Sequence, residues 1–276
     1  MVCQADAPGV PGGGPPLRGR LRRLPRRRDM IGRDIGLEPL TTPDHPMTTC
    51  GASISSRTLD RADLLLLVEG SAAPIHLEDC DLEGADLSRL DLRGVRFERC
   101  ALAEASFVGA TLAQTAWIRC RARQTSFASA DLEDARFQSC DLNNTSWRRS
   151  KLGSARFDEC RLTGADFEEC KSLGIEFANT LLVGASLRRF SFRKTRLVAL
   201  DFSDADLAGA DFRDAVFEGG SLRNAHLNDV RFDGADLRDV ELGGTPKLLA
   251  SGVLRGATVS YEQAAMLIEN LGIRVA

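Results

Sequence analysis

The feature that most constrains this chain is a period of five. Every fifth residue from Leu77 to Leu242 is Leu (18), Phe (12) or Trp (2) at all but two of 34 positions, the exceptions being Ala122 and Ser172. Twelve of the 13 Phe and both Trp share that register, and no insertion interrupts it. Two residues before each large residue stands a second, mostly small column that includes Ala85, Cys100, Ala105, Ala110, Thr115 and Cys120. The resulting consensus, A-D-L-x-x, is plain in Gly84-Ala85-Asp86-Leu87 and Gly209-Ala210-Asp211-Phe212. Neither regular element tolerates such a period. Five residues advance an α-helix by roughly 500°, so the leucines would wander around the axis. In one continuous strand they would alternate between faces. The chain must therefore turn a corner within each repeat, and straight sides joined by corners stack into a solenoid.

The cysteines count the sides. Cys80, Cys100, Cys120, Cys140 and Cys160 recur at intervals of 20, which is four repeats per coil. The aromatic residues agree: Phe97, Trp117, Phe137, Phe157 and Phe177 form one column at that spacing. Phe107, Phe127, Trp147 and Phe167 form a second, offset by half a coil, so the two columns belong to opposite faces. Residues 75–245 amount to about 8.5 coils, or about 40 Å at the ~4.8 Å separation of neighbouring strands. Both exceptions suit close packing: Ala122 shares a layer with Trp117 and Phe127, while Phe190 and Phe192 crowd the next coil above Ser172, which leaves them room.

These A(D/N)Lxx units resemble the pentapeptide-repeat family over about 60% of the chain. The resemblance implies an all-β solenoid, a right-handed quadrilateral β-helix of about 8–9 coils with short helical caps at both ends. The best-understood members are similar to B-form DNA in size and charge, bind DNA gyrase and topoisomerase IV, and alter sensitivity to quinolones or peptide topoisomerase poisons. The unbroken register here resembles the loopless members and lacks the projecting loops of the quinolone-protection branch.

Outside the repeats, residues 1–52 are Pro/Gly/Arg-rich, with Gly12-Gly13-Gly14-Pro15-Pro16 followed by seven Arg between Arg18 and Arg28. That composition buries no core and predicts disorder. Met47 is an alternative start, with the residues before it a non-native extension. Residues 53–74 are expected to hold an N-terminal capping helix around Asp60–Val68, covering the first coil of a solenoid that spans 75–259. Ser260-Tyr261-Glu262-Gln263 is a capping box that opens a C-terminal helix within 260–276, and Gly272 suits its end. The apolar side of that helix, with Tyr261, Ala264, Leu267, Ile268 and Leu271, either caps the last coil or pairs two subunits. The resemblance favours a homodimer.

No motif points to catalysis. The three histidines, His45, His76 and His226, are far apart in sequence, and His76 and His226 fall at outward positions, where solvation is expected. C-x-x-C is absent, and cysteines spaced by 20 on one face make a line and not a tetrahedron. The glycines near residue 13 lack the Lys-Ser/Thr of a phosphate loop. The chain is accordingly expected to be no enzyme, to hold no metal or cofactor, and to be cytoplasmic with reduced thiols. A net charge of −3 argues against binding nucleic acid through bulk positive charge, and the longest aliphatic run, Leu64–Val68, is far short of the roughly 20 residues of a membrane helix.

Charge is nonetheless distributed in blocks: −4 over residues 75–147, +5 over 148–197 and −7 over 198–245. Asp201, Asp204, Asp206, Asp211, Asp214, Asp229, Asp233, Asp236 and Asp239 make the last block the candidate partner-binding surface. Arg96, Arg136, Arg156 and Arg196, in one column, depart from a uniformly DNA-like surface. The partner expected from the resemblance is gyrase or topoisomerase IV. The alternative is a general protein-interaction scaffold, in which the aspartates serve solubility or corner hydrogen bonds.

Overall fold

The chain divides into units of residues 1–47 and 48–276. A computed structural model describes residues 52–71, 73–243, 252–270 and 272–275, all within the second. The expectations for the Arg-rich segment and for Met47 therefore fall outside the described residues.

Nine three-residue strands stack in chain order into one parallel sheet: β1 (Ser53–Ser55), β2 (His76–Glu78), β3 (Arg96–Glu98), β4 (Ala116–Ile118), β5 (Arg136–Gln138), β6 (Arg156–Asp158), β7 (Glu176–Ala178), β8 (Arg196–Val198) and β9 (Val216–Glu218). From β2 onward neighbours are 20 residues apart in register, so Leu77 lies beside Phe97 and Phe97 beside Trp117. This sheet is the first side of the coil. The other three are held by single bridges at the same spacing, such as Ala101–Arg121, Ser106–Ser126 and Thr111–Asp131. The solenoid is therefore four-sided.

The corners explain why five residues suffice for a side. The second residue after an inward one adopts left-handed backbone at almost every repeat, as at Arg99 (φ 53°), Glu104 (φ 59°) and Gln124 (φ 58°). That conformation is unfavourable for residues bearing a Cβ. It persists here because the corner amide donates to the next coil, Glu104 to the Arg123 carbonyl at 2.9 Å and Gln124 to Asn143 at 2.9 Å.

Inside, the two aromatic columns stack along the axis and meet edge to face across it. Phe97 and Trp117 are 4.0 Å apart at 15°, Phe127 and Trp147 4.3 Å at 9°, while Phe107 meets Trp117 at 5.4 Å and 85°. Ala122 is fully buried between Trp117 and Phe127, whose rings touch edge to face at 5.6 Å. Both indoles are satisfied by the small column, Trp117 Nε1 donating to Thr115 Oγ1 at 2.9 Å and Trp147 Nε1 to Thr145 Oγ1 at 2.8 Å. The five cysteines that define the period are buried and unbridged. Their thiols donate to carbonyls of their own coil and the one below, as Cys100 Sγ does to Leu77 O (3.3 Å) and Glu98 O (3.4 Å). Thr180 continues the column with the same bonds, to Phe157 and Ala178.

Both ends differ in detail from the sequence expectation. β1 pairs with β2 and Thr58 bridges Asp81, so residues 53–59 build two sides of an extra coil. Helix α1 (Arg61–Gly70), N-capped by Asp60, takes the place of the remaining sides. It buries Leu64, and Arg61 Nη1 reaches the carbonyls of Asp86 (3.2 Å) and Ser88 (2.8 Å). At the other end Thr258 bridges Asp236, and helix α2 (Tyr261–Glu269) follows with both halves of its capping box formed.

The stack is not uniform. Phe190 stands in a column whose neighbouring members are Ser150, Cys170 and Ala210, and its ring packs 4.7 Å from Phe192 and 6.2 Å from Phe167. The room left by Ser172 is insufficient: Ser172 and Cys170 are half-buried, and the bridge that should join Lys171 to Ser191 is missing from an otherwise regular side.

Candidate functional site

The expected partner surface is carried by the last two full coils. Asp201, Asp206 and Asp211 occupy three successive sides of one coil, each in a bridge to the coils above and below. Each carboxylate accepts the backbone amide two residues on: Asp201 from Ser203 (2.9 Å), Asp206 from Ala208 (3.1 Å) and Asp211 from Arg213 (3.1 Å). Asp236 does the same with Arg238 (3.3 Å). The aspartate before the inward residue is thus a corner brace, a short acceptor bonding its own backbone. Earlier coils use it too, as at Asp86 and Asp166.

Arginines neutralise several of these braces. Asp206 receives Arg188 Nη1 at 2.8 Å, Asp211 is forked by Arg213 Nε and Nη2 at 2.8 and 2.5 Å, and Asp236 by Arg238 at 2.8 and 2.5 Å. Hydrogen bonds from those guanidinium groups hold the Asp211 and Asp236 carboxyls below the usual range. For Asp206, burial pushes upward but is outweighed by the Ala208 amide and Arg188. Among the described residues Asp233 has only a distant Arg231, at 4.0 Å.

The remaining four differ. Asp204, Asp214, Asp229 and Asp239 are exposed and have no hydrogen-bond or ion-pair partner among the described residues. The first three occupy left-handed corners, each with φ 58°. Each of the four stands at a different corner, following the inward residues Phe202, Phe212, Leu227 and Leu237, so the free carboxylates ring the solenoid instead of lining one face. The A-D-L consensus draws attention to the braces; the free carboxylates lie two residues past the inward column, a position legible only once the corner conformation is known.

The C-terminal residues divide likewise. Leu267 is buried against its own core, and Ala264 is half-buried. Tyr261 (93% exposed) and Ile268 (38%) face outward, joined by exposed Ile273 and Val275. Leu271 lies outside the described residues. Gln263, missed as a contact residue, closes the solenoid: its Nε2 donates to Leu237 O and Val240 O, both at 2.7 Å.

His226 is exposed, whereas His76 is half-buried with Nε2 3.4 Å from Glu98 Oε2, contrary to the solvation expected for it. Among the described residues no cluster of three or more His, Cys, Asp or Glu has metal-binding geometry, and no helix is long and apolar enough to cross a membrane.

A family model described as a pentapeptide repeat region matches residues 71–147, 90–167 and 110–187, and one described as pentapeptide repeats matches 201–239. Among solved structures, two trypsin-treated variants of QnrB1, a plasmid-mediated fluoroquinolone resistance protein, are similar. One is 29% identical with TM-score 0.65, covering 72% of this chain and 99% of its own; the other is 30% identical with TM-score 0.64, covering 73% and 99%. Full-length QnrB1, at 23% identity and TM-score 0.56 over 81% and 98%, shares the fold. No curated protein matches the chain.

Proposed function

The chain belongs to the pentapeptide-repeat family, and from that premise we propose that it is a cytoplasmic, non-catalytic interaction protein whose acidic C-terminal coils bind a type II topoisomerase, DNA gyrase or topoisomerase IV, and modulate its sensitivity to quinolones or other poisons. The observation that carries the reading is the ring of free carboxylates at Asp204, Asp214, Asp229 and Asp239, in a block of net charge −7. A surface that binds DNA is built to receive closely spaced negative charge on a narrow rod. Unpaired carboxylates on all four corners offer that charge from every direction, and two copies joined through the outward side of α2 would place two such rings near the centre of one longer rod. The likeness to QnrB1, described as a fluoroquinolone resistance protein, agrees with the drug-related part.

A second reading, a scaffold for another partner, is favoured by the arginine-paired braces at Asp206, Asp211 and Asp236, which serve the fold and are masked as charge. Purified gyrase separates the two. Supercoiling and fluoroquinolone-induced cleavage should change at micromolar protein, and Asn at all four free positions should weaken the effect at least tenfold. No change in either assay would sink the topoisomerase reading and leave the scaffold.

A further inference from the structure

Among the described residues, one side of the solenoid is open between two successive coils. Lys151 bridges Lys171 and Ser191 bridges Asp211, but between the coils of Lys171 and Ser191 the ladder on this side is unmade. The amides of Ser172, Gly174 and Ser191 and the carbonyls of Cys170 and Ser191 form no backbone hydrogen bond, although equivalent groups do so in the coils on either side, as Lys171 does to Ser150 (2.8 Å) and Phe192 to Asp211 (2.8 Å). Strands β7 and β8 beside the opening keep one register pair, Ala178 with Val198. A cleft of about 360 Å³ lies here, lined on the lower coil by Phe167, Cys170 and Ser172 and on the upper by Arg188, Arg189 and Phe190. Ser172 and Cys170 are half-buried and Gly174 and Ser191 exposed, so these backbone groups are accessible to an incoming chain that can pair with them.

The lips are electrostatically unlike. On the lower one Glu168 pairs with Arg148, Glu169 with Arg149 (3.9 Å) and Glu176 with Arg156 (3.2 Å), so its carboxylates are answered from the coil beneath. On the upper lip Arg188 and Arg196 are likewise engaged, by Asp206 and Glu218. Arg189, Arg193 and Lys194 are exposed and have no carboxylate partner among the described residues. Leu173, 90% exposed, stands on the rim.

We propose that this break is a peptide-docking slot, which takes an extended acidic segment of a partner protein by strand addition to the unmade ladder. Main-chain pairing supplies affinity in that mode and flanking side chains supply selectivity. Here the open amides and carbonyls pair with the incoming backbone, Arg189, Arg193 and Lys194 select carboxylates, and Leu173 covers an apolar side chain. The slot lies in the basic middle of the solenoid, and its upper lip is the coil directly below Asp204 and Asp214, where the Lys194 amide donates to the Arg213 carbonyl at 2.9 Å, so its occupant and a topoisomerase on the acidic ring would be neighbours.

The test is fluorescence anisotropy with a labelled heptapeptide of alternating glutamate and valine. Two control peptides accompany it: the same peptide N-methylated at alternate amides, and one with lysine for glutamate. The acidic peptide should bind, N-methylation should weaken it at least tenfold, and the lysine peptide should not bind. Ser172→Leu with Phe190→Ala, which restores the repeat on both coils, should close the ladder and also cost at least tenfold. Hydrogen exchange of the unmodified protein serves if that variant does not fold, since added peptide should protect the Ser172 and Ser191 amides. Binding that survives N-methylation, or peptide that leaves those amides unprotected, overturns the proposal. Every peptide readout is taken without gyrase, so failure here leaves the topoisomerase reading standing, and a failed supercoiling assay leaves the peptide result standing.

Discussion

At the scale of the residue, two small side chains do more than fill space. Thr115 and Thr145 each accept an indole N–H and donate to a carbonyl three residues back, Leu112 or Leu142, at 2.7 Å. The sequence carries the trace of this, because each Trp is preceded two positions earlier by Thr. Replacing either by Val keeps the shape and orphans a fully buried donor, so Thr115→Val and Thr145→Val should each cost about 1–3 kcal/mol in chemical denaturation followed by tryptophan fluorescence. The cysteines behave similarly. Burial holds the Cys80 and Cys140 thiols above the ordinary range, and the neighbouring Cys120 thiol together with burial does so for Cys100. A folded-state pKa raised above the unfolded value means stability that is complete below the unfolded value, about 8.5, and lost as pH rises beyond it. Thermal unfolding should therefore fall more steeply between pH 8.5 and about 10.5 than in a variant with Cys100→Ala and Cys140→Ala; equal slopes would remove the thiols from the account.

Elements here are too short to be stable alone; three-residue strands exist because each is paired above and below. The end coils have a neighbour on one side only, and the chain meets that need with side chains. Arg61 of α1 takes two carbonyls of the coil it covers, and Gln263 of α2 takes two more while completing its own capping box with Ser260. The box was legible as Ser-x-x-Gln. That its glutamine also closes the β-ladder was not, because the amide has two donor hydrogens and the motif uses only its oxygen. Gln263→Ala should cost about 1–2 kcal/mol and speed hydrogen exchange at β9 and the last coil, leaving β3–β6 unchanged. Gln263→Glu keeps the capping oxygen but turns a second, charged acceptor toward the Leu237 and Val240 carbonyls, and should cost more than Gln263→Ala.

For the described unit as a whole, the distribution of charge and apolar surface is what a partner meets. Leu267 is spent within the chain, so the proposed dimer has Tyr261, Ile268 and Ile273 to work with. Tyr261→Asp with Ile268→Asp should halve the mass in light scattering without lowering the melting temperature; an unchanged mass would reject the outward side of α2 as the interface. Much of this protein was fixed in its residues before folding. A five-residue period admits one backbone solution, and a cysteine every 20 residues counts its sides, because inward positions must match from coil to coil. Tertiary structure alone decided three things. It showed which aspartates are braces and which are free, since that depends on corner geometry and on arginines reaching across coils, as Arg188 does to Asp206. It assigned Leu267 to the core rather than to a partner. It also turned Ser172 and Phe190 from compensating neighbours into an opening, because a ring's volume can be accommodated either by a smaller residue below it or by separating the strands, and only the packed coils determine which costs less.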